Sequence, residues 1–214
     1  MFDLDGVIVD SEPVWEQVRR QVVADHGGRW APDARQRLMG MSTGEWARYL
    51  SADLGTALPP ETIATLVIER MRARLSEHLP LIPGAVDAVR RLAACWPLGL
   101  ASSSPPALID TALDHAGLRQ YFAVALSTEQ VSRGKPAPDV YLAVADRLGR
   151  RPDRCAAVED STNGLLSAAA AGLQPIAVPR PGYPPDPVAL HAAKLVLTGI
   201  GELTVQAISQ LPVS

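Results

Sequence analysis

The sequence predicts an α/β fold with a small all-helical domain inserted into it, and two patterns along the chain indicate this organisation. Residues 12–80 carry apolar side chains at helical spacing, whereas from residue 81 onward short apolar runs alternate with helical segments that end at glycine. The second pattern is typical of a Rossmann-like parallel sheet flanked by helices. We therefore expect an α/β core domain formed by residues 1–11 and 81–214, and a helical cap domain formed by residues 12–80.

The inserted block is predicted to form four helices. Apolar side chains recur every four residues in two of its stretches, namely Val14, Val18 and Val22, and then Ile63, Val67, Met71 and Leu75. Pro59-Pro60-Glu61 suits the first turn of the last helix, and that helix is expected to end before Pro80. The block contains no convincing strand pattern.

The core domain is predicted to contain five strands after residue 81. The candidates are Leu98–Ala101, Val124–Leu126, Ala156–Val158, Ile176–Val178 and Leu195–Leu197. Three predicted helices lie between them and end at Gly117, Gly149 and Gly172, because glycine readily adopts the left-handed conformation of a helix C-cap.

The opening residues Met1–Leu4 predict one more strand of the same sheet. Very little strand precedes Asp3, which leaves two readings open: a short central strand, or residues upstream of Met1 that this sequence does not include.

Polar side chains follow several of the predicted strands. Asp3 and Asp5 follow the first, three serines follow Leu98–Ala101, and Glu159-Asp160 follows Ala156–Val158. Ligands in open α/β sheets bind outside the carboxyl ends of the strands. Asp3 and Asp5 start on the same face of an extended chain, and such a carboxylate pair suits Mg²⁺, although a solvated turn also fits this short stretch.

Composition and charge narrow the class of partner. The chain has 47% apolar and 20% charged residues, a formal net charge of −3 and no run rich in Lys or Arg, which argues against nucleic acid. No stretch approaches the roughly 20 apolar residues of a membrane span, and no signal-like segment opens the chain. We expect a cytoplasmic monomer that acts on a small molecule, with no membrane partner.

Four segments in this order resemble the signatures of the haloacid dehalogenase superfamily. They are Phe2-Asp3-Leu4-Asp5-Gly6-Val7, Leu100-Ala101-Ser102-Ser103-Ser104, Gly134-Lys135-Pro136-Ala137-Pro138-Asp139 and Val158-Glu159-Asp160-Ser161. Within that superfamily the chain is similar to the β-phosphoglucomutase-like and sugar-phosphate phosphatase branch, which carries a helical cap after the first strand.

The resemblance implies roles for the acidic residues. It implies that Asp3 is the nucleophile that takes the phosphoryl group as an aspartyl-phosphate, and that Asp5 protonates the leaving oxygen and later deprotonates water. It also implies Mg²⁺ as the cofactor, with Asp3, Asp5 and Asp160 in its site and Glu159 as a further ligand or as a residue that orients the ligands.

The resemblance further implies a phosphate-binding set formed by Ser102, Ser103 and Lys135. Because the two prolines after Ser104 lack N–H groups, we expect the Ser103 and Ser104 amides and the serine hydroxyls to bind more of the anion. The Ser104 side chain itself is interpreted as a helix N-cap.

The activity implied is that of a Mg²⁺-dependent phosphatase acting on small phosphomonoesters, sugar or polyol phosphates. A β-phosphoglucomutase-type mutase is the alternative, but Trp15 stands where those mutases carry a histidine and Thr43 where they carry an arginine. A non-catalytic phosphosugar-binding module is a third alternative, although its hallmark would be the loss of Asp3 or Asp5. Substrate choice is expected to depend on the cap residues Met39, Gly40, Met41, Ser42, Thr43 and Trp46.

Overall fold

The structure is a computed structural model that describes residues 1–38, 41–182 and 184–211. The chain divides into two units, one formed by Met1–Asp10 with Leu79–Ser214 and the other by Ser11–His78. We call the first the core unit and the second the helical unit.

The described residues of the helical unit form four α-helices, the number predicted for it. They are α1 (Glu12–Asp25), α2 (Ala34–Leu38), α3 (Thr43–Arg48) and α4 (Pro60–Glu77), with a π-helical segment at Tyr49–Asp53. Helix α4 packs against α1 and α3. All four apolar side chains of α4 that recur every four residues are buried, which explains why that spacing identified the helix.

The core unit contains six further α-helices among its described residues. They are α5 (Ala85–Ala93), α6 (Pro106–His115), α7 (Asp139–Arg147), α8 (Thr162–Ala170), α9 (Pro187–Ala192) and α10 (Val205–Ser209). Helices α6, α7 and α8 correspond to the three predicted ones, and Gly117, Gly149 and Gly172 beyond them have φ values of 61°, 63° and 78°. The other three lie outside the helical segments predicted for this part of the chain. Short 3₁₀ turns occur at Arg119–Tyr121, Thr128–Gln130, Pro152–Arg154 and Ile200–Glu202.

The five predicted strands of the core unit are present. They are β1 (Leu98–Ser102), β2 (Phe122–Ser127), β3 (Ala156–Glu159), β4 (Gln174–Ala177) and β5 (Leu195–Val196). All pair in parallel, in the orders β1-β2 and β3-β4-β5. Helix α7 packs on β1 and β2, and α8 packs on β3 and β4, as expected for a sheet flanked by helices.

The predicted opening strand is shorter than expected, and the span Met1–Leu4 was wrong. Only Phe2 of this segment forms a bridge, and it does so in parallel to Leu100 on one side and Val158 on the other. The Phe2 N–H donates to the Gly99 carbonyl over 2.9 Å, and the Asp3 N–H donates to the Val158 carbonyl over 3.0 Å. The opening segment therefore pairs with β1 on one side and with β3 on the other, which places Asp3 directly at the carboxyl ends of both strands.

Gly6 allows the chain to turn immediately after Asp5. Its φ is +78°, in the left-handed region that favours glycine, and its N–H donates to the Val9 carbonyl over 2.8 Å. Val9 then forms an antiparallel bridge with Leu81, so the segments that leave and re-enter the core unit run side by side.

Among the described residues, no helix is both long enough and apolar enough to cross a lipid bilayer.

Candidate active site

The buried ammonium group of Lys135 connects three parts of the core unit. Its Nζ donates to Asp3 Oδ1 over 2.7 Å, to Glu159 Oε1 over 2.5 Å and to the Ala101 carbonyl over 2.9 Å. Only 5% of the Lys135 side chain is exposed, and Glu159 is fully buried. The structure thus brings together Asp3, Lys135 and Glu159 at the carboxyl ends of β1 and β3.

Asp160 joins these groups to form an oxygen-rich cluster. Ligand atoms of Asp3, Glu159 and Asp160 lie within 4.8 Å of one another. The Asp160 carboxylate lies against the backbone of Gly6, which is possible because residue 6 has no side chain. A Cβ at residue 6 would lie 1.8 Å from Asp160 Oδ2. Hard divalent cations such as Mg²⁺ prefer carboxylate oxygens, so the donor set fits such an ion.

Burial makes the negative charge of this cluster costly. Desolvation raises the pKa of Asp3 to about 8; Lys135 opposes this shift, while Glu159 and Asp5 add to it. Desolvation likewise raises the pKa of Asp160 well above its usual range, with Asp3 and Glu159 adding to the effect. For Lys135, burial alone would lower the pKa, but Asp3 and Glu159 outweigh it and the pKa is raised. Lys135 is therefore charged, and a further cation would offset the remaining carboxylate repulsion.

Tyr141 is a part of this site that the sequence analysis missed. Its hydroxyl donates to Glu159 Oε1 over 2.6 Å, the same oxygen that accepts from Lys135. Lys135 Nζ also lies 5.1 Å from the centre of the Tyr141 ring. In the sequence, Tyr141 looks like an ordinary core residue, because it lies in an apolar stretch with Val140 and Val144. Only the three-dimensional structure shows that its hydroxyl points to Glu159.

Gly164 provides the space that the Glu159 carboxylate occupies. A Cβ at residue 164 would lie 1.9 Å from Glu159 Oε2. Ser161, the N-cap of α8, also donates to that oxygen over 3.3 Å. Lys135, Tyr141 and Ser161 thus donate to both oxygens of Glu159 and hold its carboxylate in place.

The Asp5 carboxylate has different partners from Asp3. Its Oδ2 accepts from the Ser102 hydroxyl over 3.2 Å and from the Ser104 hydroxyl over 2.8 Å. The interpretation of Ser104 as a helix N-cap is therefore wrong, since Pro105 occupies that position and the Ser104 hydroxyl points to Asp5. The Ser104 N–H donates to Ser102 Oγ over 3.0 Å, so the expectation that this amide binds an anion is not supported. The Ser103 side chain is exposed.

The predicted specificity residues lie in the helical unit and are only partly described. Met39 and Gly40 lie outside the described residues. Met41 and Thr43 are half-buried, and Ser42 is exposed, with its hydroxyl donating to Glu45 Oε2 over 2.7 Å. Trp46 is buried, with its ring 6.1 Å from that of Trp15. The Arg19 guanidinium lies 4.5 Å from the Trp15 ring and 5.1 Å from the Trp46 ring.

Comparison with known proteins identifies the family. The model of the haloacid dehalogenase-like hydrolases matches residues 1–172, which include every core-unit residue described above except those of the last strands and helices. The chain belongs to this family.

Relatives of this hydrolase include named phosphatases. Hexitol phosphatase B of Escherichia coli (strain K12) is 34% identical over 95% of this chain and 93% of its own length. The fructose-1-phosphate phosphatase YqaB of the same organism is 32% identical over 83% of this chain and 94% of its own length. Among solved structures, CbbY from Rhodobacter sphaeroides in complex with phosphate is 27% identical with a TM-score of 0.86, covering 97% of both chains.

Replacing Gly164 with alanine should destabilise the protein. The new Cβ would overlap a buried carboxylate that three side chains hold in place, so we expect the free energy of unfolding to fall by about 1–3 kcal/mol. Gly44→Ala is the matched control, because Gly44 lies in α3 and a Cβ there would meet no other described residue within 4 Å, so alanine should stabilise that helix by up to about 1 kcal/mol. Chemical denaturation measures both, and equal effects would contradict the close approach at Gly164.

Removing the Tyr141 hydroxyl should also cost stability. Tyr141→Phe takes one donor from the buried Glu159 carboxylate, so we expect a loss of about 1–3 kcal/mol in the free energy of unfolding. Tyr49→Phe is the matched control: the Tyr49 hydroxyl is buried with no hydrogen-bond partner among the described residues, so its removal should change stability by less than about 0.5 kcal/mol. A Tyr141→Phe protein as stable as Tyr49→Phe would show that the hydroxyl contributes nothing to Glu159.

Proposed function

We propose that this protein is a Mg²⁺-dependent phosphatase that hydrolyses small phosphomonoesters, sugar or polyol phosphates, through an aspartyl-phosphate on Asp3. The observation that carries the proposal is the buried contact of Lys135 with both Asp3 and Glu159, at the strand ends where Asp5, Ser102 and Asp160 also lie. Phosphoryl transfer through an aspartate requires a nucleophilic carboxylate, a second carboxylate with separate partners, and a cation beside the nucleophile.

The family and the named relatives support both the reaction class and the substrate class. The family match and the phosphatases among the relatives make the chain a phosphoric monoester hydrolase of the haloacid dehalogenase-like family. The hexitol and fructose-1-phosphate phosphatases support a phosphorylated sugar or polyol as the substrate class.

The proposed chemistry divides the work between two aspartates. Asp3 attacks phosphorus, and the bond from phosphorus to the leaving oxygen breaks as Asp5 gives its proton to that oxygen. In the second half, Asp5 takes a proton from water, and the hydroxide attacks phosphorus and releases Asp3 and inorganic phosphate. The different surroundings of the two carboxylates support this division, since Asp3 lies against a lysine and Asp5 lies against two serine hydroxyls.

We propose that Mg²⁺ is held by the Asp3 and Asp160 carboxylates together with the Asp5 backbone carbonyl, while Glu159 orients Lys135 and Asp3. The bound ion would neutralise charge on the phosphoryl oxygens and on the clustered carboxylates. The close approach of Asp160 over Gly6 and the oxygen-only donor set support this assignment.

Ser102, the Ser103 amide and Lys135 are proposed to bind the phosphoryl group. Phosphoryl transfer spreads negative charge over the equatorial oxygens, so a fixed ammonium and hydroxyl stabilise its transition state. The Ser104 N–H donates to Ser102 Oγ. For this reason, the Lys135 ammonium and the Ser102 hydroxyl bind more of the phosphoryl group than the backbone amides of the loop do.

Residues 12–80 are proposed to act as a cap on the core of residues 1–11 and 81–214. We further propose that Met39–Thr43 and Trp46 influence substrate choice; Trp46 would do so through packing, because it is buried against Trp15. The packing of Trp15 in the place where the mutases need a reactive histidine supports hydrolysis over mutase chemistry.

Hydrolysis should depend on both a divalent metal and Asp3. With Mg²⁺, the protein should release phosphate from para-nitrophenyl phosphate and from members of a panel of sugar, polyol and nucleotide monophosphates. EDTA and Asp3→Asn should each lower the rate at least about 100-fold, because the ion and the nucleophile serve the chemical step. Formation of glucose 6-phosphate from β-glucose 1-phosphate with a bisphosphate activator would instead identify a mutase, and a lack of turnover with every metal would favour a binding module.

Lys135→Ala should lower kcat/KM more than tenfold, which corresponds to a loss of more than about 1.4 kcal/mol of transition-state stabilisation. The chain offers a matched control, since its other lysine, Lys194, is exposed and Lys194→Ala should leave kcat/KM unchanged. Circular dichroism would confirm that both variants are folded. A folded Lys135→Ala protein within tenfold of the original would rule out Lys135 as the phosphate-binding cation.

A further inference from the structure

We propose that Ser104 is a positioning residue that keeps hold of the Asp5 carboxylate when the Ser102 hydroxyl turns to the phosphoryl group. The inference rests on the proposed function, in which Ser102 binds phosphate and Asp5 transfers the proton. It assigns a role to a serine that the sequence pattern placed at a helix end.

Two hydroxyl groups share one oxygen of Asp5. The Ser104 hydroxyl donates to Asp5 Oδ2 over 2.8 Å and the Ser102 hydroxyl donates to the same atom over 3.2 Å. The Ser104 contact is the shorter of the two. Both serines are buried, with 5% of Ser104 and 0% of Ser102 exposed, so the bonds form where they are stronger than in water.

The Ser102 hydroxyl cannot donate a hydrogen bond to Asp5 and to phosphate at the same time. A serine hydroxyl has a single proton, so it donates to one acceptor at a time. When the Ser102 hydroxyl donates to a phosphoryl group instead, its hydrogen bond to Asp5 Oδ2 is lost. The Ser104 hydroxyl still donates to that oxygen and helps to fix the carboxylate during proton transfer.

The backbone of Ser104 is itself held on both sides. Its N–H donates to Ser102 Oγ over 3.0 Å, and its carbonyl accepts from the Ser127 hydroxyl at the end of β2 over 2.7 Å. Ser104 is therefore fixed to β1 and to β2, and its hydroxyl can keep its direction when Ser102 changes partner. A group held in this way places the Asp5 carboxylate at little entropic cost.

The consequence is a dependence on the leaving group. A basic leaving oxygen needs a proton as its bond to phosphorus breaks, whereas the para-nitrophenolate ion is stable enough to leave without one. If Ser104 acts through Asp5, replacing Ser104 should slow the hydrolysis of substrates with a basic leaving oxygen selectively. A general loss of structure would slow both kinds alike.

The test compares kcat/KM for phenyl phosphate and para-nitrophenyl phosphate, two probes of similar shape, in the original protein and in Ser104→Ala. We expect kcat/KM to fall at least about tenfold more for phenyl phosphate than for para-nitrophenyl phosphate. Ser104→Cys, which is similar in size but has only a weakly donating thiol, should show the same selectivity and provides a second variant if the alanine protein is unstable. Thr111→Val on α6 is the control: it removes a hydroxyl that donates to the Ala107 carbonyl and should leave both rates unchanged.

Equal losses for the two probes in folded Ser104 variants would overturn this inference while leaving the phosphatase assignment in place. Unchanged rates for both probes would overturn it as well. Failure of the original protein to hydrolyse either probe would instead refute the proposed function on which the inference rests.

Discussion

The contact of Lys135 with Asp3 and Glu159 is the interaction on which the rest of the site depends. Two carboxylates and an ammonium lie buried together, and each would be costly to bury alone. Their mutual hydrogen bonds, together with the bond from Lys135 to the Ala101 carbonyl, offset that cost. The same bonds connect the opening segment, β1 and β3, so the charge network and the sheet support each other.

The positions around this network can accept few other residue types. The absence of a side chain at Gly6 and at Gly164 makes room for the carboxylates of Asp160 and Glu159. Tyr141 then adds a hydroxyl donor to Glu159 from α7. Two glycines and one tyrosine, none of which has a reactive group in the proposed mechanism, therefore decide where the acidic groups lie.

Asp3 and Asp5 show how position gives different surroundings to identical side chains. Asp3 lies beside an ammonium and two other carboxylates, whereas Asp5 lies beside the hydroxyls of Ser102 and Ser104. Only Leu4 separates the two aspartates, and the turn at Gly6 follows immediately. This difference in surroundings supports the proposed division of roles between them. The first six residues therefore contribute both to the sheet and to the proposed mechanism.

The sequence alone determined features that depend on local patterns. Apolar spacing located α1 and α4 of the helical unit, short apolar runs located β1 to β5, and the glycines after α6, α7 and α8 marked helix ends, because each signal is contained in a few neighbouring residues. The ordered motifs indicated the family and singled out Asp3, Lys135 and Asp160 as candidates.

Only the tertiary structure decided the contacts between distant residues. Lys135 and Asp3 are 132 positions apart, Ser104 and Asp5 are 99 apart, and Ser127 and Ser104 are 23 apart. The role of Ser104 was misread as a helix cap because its true partner is remote in sequence, and the hydroxyl of Tyr141 gave no signal for the same reason. The length of the opening strand was likewise set by pairing, since Phe2 bridges to β1 and β3 at once. Local pattern specifies which segments become helix or strand, but hydrogen bonds between buried polar groups are settled only when the strands bring those groups together.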